Sequence, residues 1–176
     1  MLKMLHNNKL KIMNLFFEYP SRNFQIREVS RLSKIAVTSV KKYLDELRKE
    51  GFVIKDKNTL YPSYISNQQN RMFKIYKQQY FILKLHSSGF IDYLEDELHP
   101  KCIVLFGSMG KGEYNYGSDI DIFIQSDEGK INILKFEKIL KHKINLFFEG
   151  NINKLSKELF NNIINGVKLS GYIKLK

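Results

Sequence analysis

Lys101-Cys102-Ile103-Val104-Leu105-Phe106-Gly107-Ser108, followed after ten residues by Asp119-Ile120-Asp121-Ile122-Phe123-Ile124, is the stretch that decides how this chain is read. Cys102–Phe106 is a continuous apolar run of strand length, which predicts a buried strand. The run stops at Gly107-Ser108, where glycine lets a backbone approach closely and serine can open a short helix. Amide N–H groups at such a turn can hold phosphate oxygens. Residues i and i+2 of a strand point to one face, so Asp119 and Asp121 project side by side, their Cα atoms ~6.6 Å apart. Two aimed carboxylates suit Mg²⁺, which takes oxygen ligands and keeps waters or phosphates in its other positions. A phosphate cradle facing such a pair is a phosphoryl- or nucleotidyl-transfer site. The bland alternative is two solvated aspartates at a strand edge. Neighbouring like charges repel and these sit in a strongly apolar run, which argues against it.

This string resembles the DNA polymerase beta nucleotidyltransferase superfamily, close to its minimal (MNT-type) members. Ile103–Ile124 carry the likeness. The resemblance implies that Gly107 and Ser108 contact a nucleoside triphosphate, ATP foremost, and that Asp119 and Asp121 are catalytic ligands of Mg²⁺. Lys111 would touch a phosphate, and Ser118 is grouped with the nucleotide contacts. The family's third carboxylate, in a string like Ile-Asp-Leu, falls here on Ile144-Asn145-Leu146. Asn145 therefore takes the third catalytic position with a side chain that coordinates or hydrogen-bonds but accepts no proton. Glu149, ~13 Å along the same strand, and Glu113 are the other carboxylates near the string. Met109 stands where the family often has arginine.

Outward from the string, the chain has 176 residues, is 43% apolar and 27% charged, and can build a real core. A single cysteine, Cys102, excludes a disulfide framework. The opening residues are too quickly polar for a secretory signal, and no run of about 18 apolar residues predicts a membrane span. The expectation is a cytoplasmic protein. His6, His86, His99 and His142 show no metal spacing and read as surface or packing residues. The net charge is +11. Twenty-four lysines against five arginines, with one alanine, look like a base-composition bias that adds lysine everywhere. Position argues for more than bias: residues 1–66 carry +7, 67–98 none and 99–176 +4.

In the first segment, residues 6–18 read as a helix, ended near Pro20. Ile26, Val29 and Leu32 keep helical spacing, as do Val37, Val40, Leu44 and Leu47, with Gly51 at the helix end. Phe52-Val53-Ile54, a turn at 55–58 and Thr59-Leu60-Tyr61 read as a hairpin. Ile26 to Ile54 resembles the winged helix-turn-helix family, whose second helix enters the major groove. The resemblance implies that Thr38, Ser39, Lys41 and Lys42 face double-stranded DNA, with Lys55 and Lys57 on the wing. A small helical domain used for protein contacts remains the alternative, since lysines alone give phosphate contact without sequence reading.

The expected architecture is α+β: a winged helix-turn-helix domain over 1–66, a helical connector over 67–98, and a small mixed-sheet α/β nucleotidyltransferase domain over 99–176. Helices are expected over 67–85, 90–98, 131–140 (Ile131, Leu134, Ile139 and Leu140 inward) and 155–164, and strands over 143–148 and 167–175. The expected function is Mg²⁺-dependent transfer of a nucleoside monophosphate to an acceptor hydroxyl. A nucleotide-sensing regulator of weak or no activity, favoured by Asn145 and Met109, is the alternative. So is an antitoxin that adenylylates a partner toxin. A homodimer is a further partner to consider, and a plain interaction module leaves the aspartate pair unexplained.

Overall fold

The computed structural model describes residues 8–56 and 61–173. His6, Lys57, Thr59 and Leu60 lie outside the described residues. The chain divides into two compact units, Met1–Lys77 and Gln78–Lys176, with the division inside a 17-residue helix, α4 (Arg71–Ser87).

The first unit holds α1 (Asn8–Glu18), β1 (Phe24–Gln25), α2 (Ile26–Ser33), α3 (Val37–Lys49), β2 (Val53–Asp56) and β3 (Ser63–Ser66). Each helix turns its apolar residues inward at i, i+3 and i+4 spacing: Ile12, Met13, Phe16 and Phe17 from α1, Val29 from α2, and Val40, Leu44 and Leu47 from α3. Phe24 closes this core edge-on to Phe16, ring centroids 5.2 Å apart. Helix α3 stops at Gly51, in the left-handed region at φ +77°, with Phe52 N–H returned to Leu47 O at 2.9 Å. The strands form an antiparallel sheet in the order β1-β3-β2. The return strand begins at Ser63 and not at Tyr61, because Pro62 intervenes and has no N–H to give a ladder.

The second unit holds the C-terminal part of α4, then α5 (Phe90–Leu98), β4 (Cys102–Phe106), α6 (Gly107–Lys111), β5 (Ile120–Ile124), α7 (Leu134–Leu140), β6 (Ile144–Phe148), a single 3-10 turn, α8 (Lys157–Ile164) and β7 (Val167–Gly171). The sheet order is β6-β5-β4-β7, with β5 and β6 parallel and the other pairs antiparallel. One face buries Ile103, Leu105, Ile120, Ile122, Ile124 and Ile144 with Phe81, Leu85, Phe90, Ile91, Leu94, Phe136 and Leu140 from the helices. The other carries a smaller cluster of Cys102, Val104, Phe106 and Phe123, covered by Ile163 of α8. Among the described residues no helix is long and apolar enough to cross a membrane.

Several elements begin later than their apolar pattern suggests. Asn70 Oδ1 accepts the Phe73 N–H at 3.0 Å, so α4 starts at Arg71 and not at Asn67. Asn132 Oδ1 accepts the Leu134 N–H at 3.2 Å, which delays α7 to Leu134. On that short helix Phe136 and Leu140 face inward, while Leu134 and Ile139 are 63% and 54% exposed, the reverse of expectation for those two. Ser156 Oγ accepts the Leu159 N–H at 3.2 Å and sets the start of α8 at Lys157. Strand β7 ends at Gly171, where φ is +66°.

Candidate functional site

Asp121 sits on the middle of three adjacent strands, opposite Phe106 of β4 and opposite Asn145 of β6. Asp119 lies just before β5, where the Ile120 N–H donates to Lys143 O at 2.8 Å. Ile120, Ile122, Ile144 and Leu146 point into the main core, so Asp119, Asp121 and Asn145 are turned to the opposite face. There they meet: Asn145 Nδ2 donates to Asp121 Oδ1 at 3.0 Å and makes a longer 3.4 Å contact with Asp119 Oδ2. One amide thus lies against both carboxylates. It supplies a donor between two negative charges that would otherwise repel across one strand face. Asp119 and Asn145 are exposed and Asp121 is half-buried. Next to them on β6, Phe147 packs edge-on against Phe106, ring centroids 5.3 Å apart.

Gly107 follows Phe106 directly and borders the trio. Its φ is +66°, and a Cβ built there would fall 2.3 Å from Asp121 Oδ2. Only glycine lets the chain turn this close to that carboxylate. Gly107→Ala is expected to destabilise the protein by about 1–2 kcal/mol through its left-handed backbone alone, and to displace the Asp121 carboxylate. Thermal denaturation reads the first effect, and an unchanged melting temperature would count against it.

Ser108 is half-buried, and its hydroxyl has no hydrogen-bond partner among the described residues; its carbonyl accepts the Glu113 N–H at 2.9 Å. Lys111 ends α6, exposed and without an ion pair among the described residues. Ser118 serves its own loop: its hydroxyl accepts the Asn115 N–H at 2.9 Å and its carbonyl accepts from His142 Nδ1 at 2.8 Å. His142 is buried against Phe81 and Tyr114 and so anchors the residue preceding Asp119. Its packing character was legible, but its hold on this loop was not, because nothing in the sequence links positions 118 and 142.

Of the two other carboxylates near the string, Glu113 is exposed in the loop after α6, and Glu149 is engaged elsewhere. Glu149 accepts the Asn151 N–H at 2.9 Å, beyond Phe148, which pairs with Ile124 at the far end of β5 and β6. Met109 is fully buried in the main core, so it packs and does not face the carboxylates. Cys102 is buried, and that burial pushes its thiol pKa up, partly opposed by Lys168. Among the described residues no group of three or more His, Cys, Asp or Glu is placed to hold a metal ion.

In the first unit, Thr38, Lys41 and Lys42 are exposed on α3, Ser39 is half-buried, and Lys55 is exposed on β2. Lys9 and Arg22 are neutralised, the first by Glu46 and Glu50 and the second by Glu28. Lys41, Lys42 and Lys55 make no such pair among the described residues.

Residues 87–168 match a family model, that of the nucleotidyltransferase domain. A solved structure described as "Crystal structure of the toxin-antitoxin with AMP-PNP" is similar at 26% identity and a TM-score of 0.38, over 48% of this chain and 73% of that one. No curated protein matches the chain.

Proposed function

We propose that the C-terminal unit transfers a nucleoside monophosphate from a nucleoside triphosphate, ATP foremost, to an acceptor hydroxyl. The observation that carries this reading is the convergence of Asp119, Asp121 and Asn145 beside Gly107, within the segment that matches the nucleotidyltransferase domain. The donor set fits a hard divalent cation: two carboxylates and an amide able to offer a third oxygen. Asp119 and Asp121 would hold Mg²⁺, which when bound neutralises charge on the phosphate oxygens and the leaving group. In the transfer the acceptor oxygen attacks the α-phosphorus and a new O–P bond forms. The bond from the α-phosphorus to the bridging oxygen breaks, pyrophosphate leaves with that electron pair, and the hydroxyl proton passes to a carboxylate or to solvent. Gly107 leaves room for the triphosphate beside Asp121. The Ser108 hydroxyl is free to donate to a phosphate oxygen, and Lys111 adds positive charge.

Asn145 favours a second reading, a nucleotide sensor with little turnover, because an amide is no general base. Labelled ATP, with and without Mg²⁺, offered to duplex DNA, RNA and a companion toxin protein, separates the two. Transfer of label supports the enzyme, and binding without transfer to any acceptor supports the sensor.

The N-terminal unit is proposed as a winged helix that docks on double-stranded DNA through Thr38, Ser39, Lys41, Lys42 and Lys55. Lys41 and Lys42 of α3 and Lys55 of β2, exposed and without an ion pair among the described residues, support this reading. Binding of a duplex by the full chain should weaken with salt, each neutralised phosphate adding about 0.9 to the steepness of log K against log[salt]. Lys41→Ala and Lys42→Ala are each expected to flatten that slope by up to about one unit. A slope indifferent to both would leave a protein-contact domain instead.

A further inference from the structure

One edge of the second unit's sheet is β6, which pairs with β5 on one side and with no described strand on the other. Beside it the Ile120 N–H goes to Lys143 O at 2.8 Å and the Glu149 N–H to Ile124 O at 3.3 Å. In a parallel pair this means that the main-chain groups of Asn145 and Phe147 serve β5, while those of Ile144, Leu146 and Phe148 point outward. Glu137 closes one end of that edge, since its Oε1 accepts the Ile144 N–H at 3.0 Å. The outward N–H and C=O groups of Leu146 and Phe148 have no partner among the described residues. Between these two, Phe147 stands on the carboxylate face, 37% exposed. An open strand edge carrying an exposed aromatic is a template for another strand.

The open stretch selects both its occupant and the register. Two copies of one strand can pair antiparallel about a two-fold axis, each presenting the same surface to the other. Outward residues must face outward residues if N–H and C=O groups are to be exchanged. With the Ile144 N–H already given to Glu137, the pairing that uses the open groups sets Leu146 against Phe148 of a second copy, and Phe148 against its Leu146. Phe147 then lies on the axis and meets its own copy in a non-hydrogen-bonded pair, where side chains come closest. The same register sets Asn145 opposite Glu149 of the second copy, with Cα atoms about 4.5 Å apart. Both side chains alternate to the carboxylate face. Lys143, exposed and without an ion pair among the described residues, becomes a diagonal neighbour of that Glu149, so opposite charges meet on both sides of the axis.

We propose that two copies of the chain join through β6 in this register, and that Glu149 of the second copy supplies, opposite Asn145, the base that the Asn145 amide cannot be. The base role rests on the transfer reading above, whereas the pairing of the strands stands without it. Along its own strand Glu149 is ~13 Å from Asn145, but across the axis the two are direct neighbours. Its Oε1 accepts the Asn151 N–H at 2.9 Å, and its Oε2 has no hydrogen-bond partner among the described residues. As the acceptor oxygen bonds to the α-phosphorus, its proton passes to this carboxylate, and pyrophosphate leaves with the electron pair of the broken P–O bond.

The test uses the full chain. Phe147→Cys should form a disulfide-linked dimer under mild oxidation, because the axis brings the two Cα atoms within the span of a disulfide, about 4.4–6.8 Å. Lys143→Cys lies on the same edge but roughly 26 Å from its own copy in this register, and should not. Cys102 is buried and takes no part. Phe147→Lys sets two ammonium groups face to face on the axis. It should sediment as a monomer where the native chain sediments as a dimer, its melting curve showing that it is folded. Glu149→Gln should keep its affinity for Mg²⁺·ATP and lose transfer on the order of 10²-fold or more. Mixed in equal amounts with the Asp119→Ala, Asp121→Ala double variant, it should recover about a quarter of the native rate, since half the dimers are mixed and each of those holds one complete site. No recovery on mixing would overturn the base role. A native chain that is monomeric at high concentration, or crosslinking at Lys143→Cys as ready as at Phe147→Cys, would overturn the pairing. Absence of transfer from the native chain overturns the transfer reading and the base role with it, while crosslinking and sedimentation still decide the pairing.

Discussion

Asn145→Asp is expected to raise nucleotidyl transfer by on the order of 10²–10⁴-fold if turnover in the native chain is limited by the missing base. The two side chains are nearly isosteric, and position 145 is exposed, so no repacking is required. The substitution removes the amide that lies 3.0 Å from Asp121 and 3.4 Å from Asp119, and sets a third negative charge in its place. In a chelator the variant should therefore melt lower than the native chain, because three carboxylates then face one another unneutralised. Mg²⁺ should recover most of that loss, and more in the variant than in the native chain. Pyrophosphate release and melting temperature, each with and without Mg²⁺, check both halves. A drop in activity would contradict the placement of residue 145 beside the metal. A native chain that already turns over briskly would show that another base serves, and the substitution would then change little.

The Asp119→Ala, Asp121→Ala double variant should lose Mg²⁺-dependent nucleotide binding altogether while its melting temperature holds or rises. Two like charges leave one strand face, and the Asn145 amide they release is exposed and free to bond water. Calorimetric titration of ATP with Mg²⁺ reads the first effect. Unchanged affinity would remove these residues from the site.

What could be read from the sequence follows the physics of each element. Strand β4 has its expected bounds because five successive apolar residues, buried throughout, admit no other reading. Helix α5 does too, held between Gly89, at φ +73°, and His99-Pro100. The misplaced helix starts share one cause: Asn70, Asn132 and Ser156 accept backbone N–H groups and hold the chain out of the helix for two to four residues. In a chain this rich in asparagine, which one caps is settled by tertiary context. The apolar face of α7 was misjudged because seven residues give the 3.6 period too little length to express itself. At the site, the aspartate pair was legible from i, i+2 spacing on one strand. That the Asn145 amide lies against both acids depends on the parallel register of β5 with β6, across a crossover that no local pattern encodes.

That parallel pairing also bears on how the chain is made. β4 and β5 can zip together as soon as both have emerged, but β5 then waits with Ile120–Ile124 as a bare edge until residue 148 is available. At about 5–20 residues per second, the two dozen residues from 125 to 148 take on the order of one to five seconds to synthesise. During that interval an apolar strand, relieved by Asp121 alone, offers unpaired N–H and C=O groups to any neighbouring chain. A transcript that stopped between Ile124 and Ile144 would make that exposure permanent. Such a fragment should collect in aggregates rather than circulate as a free domain.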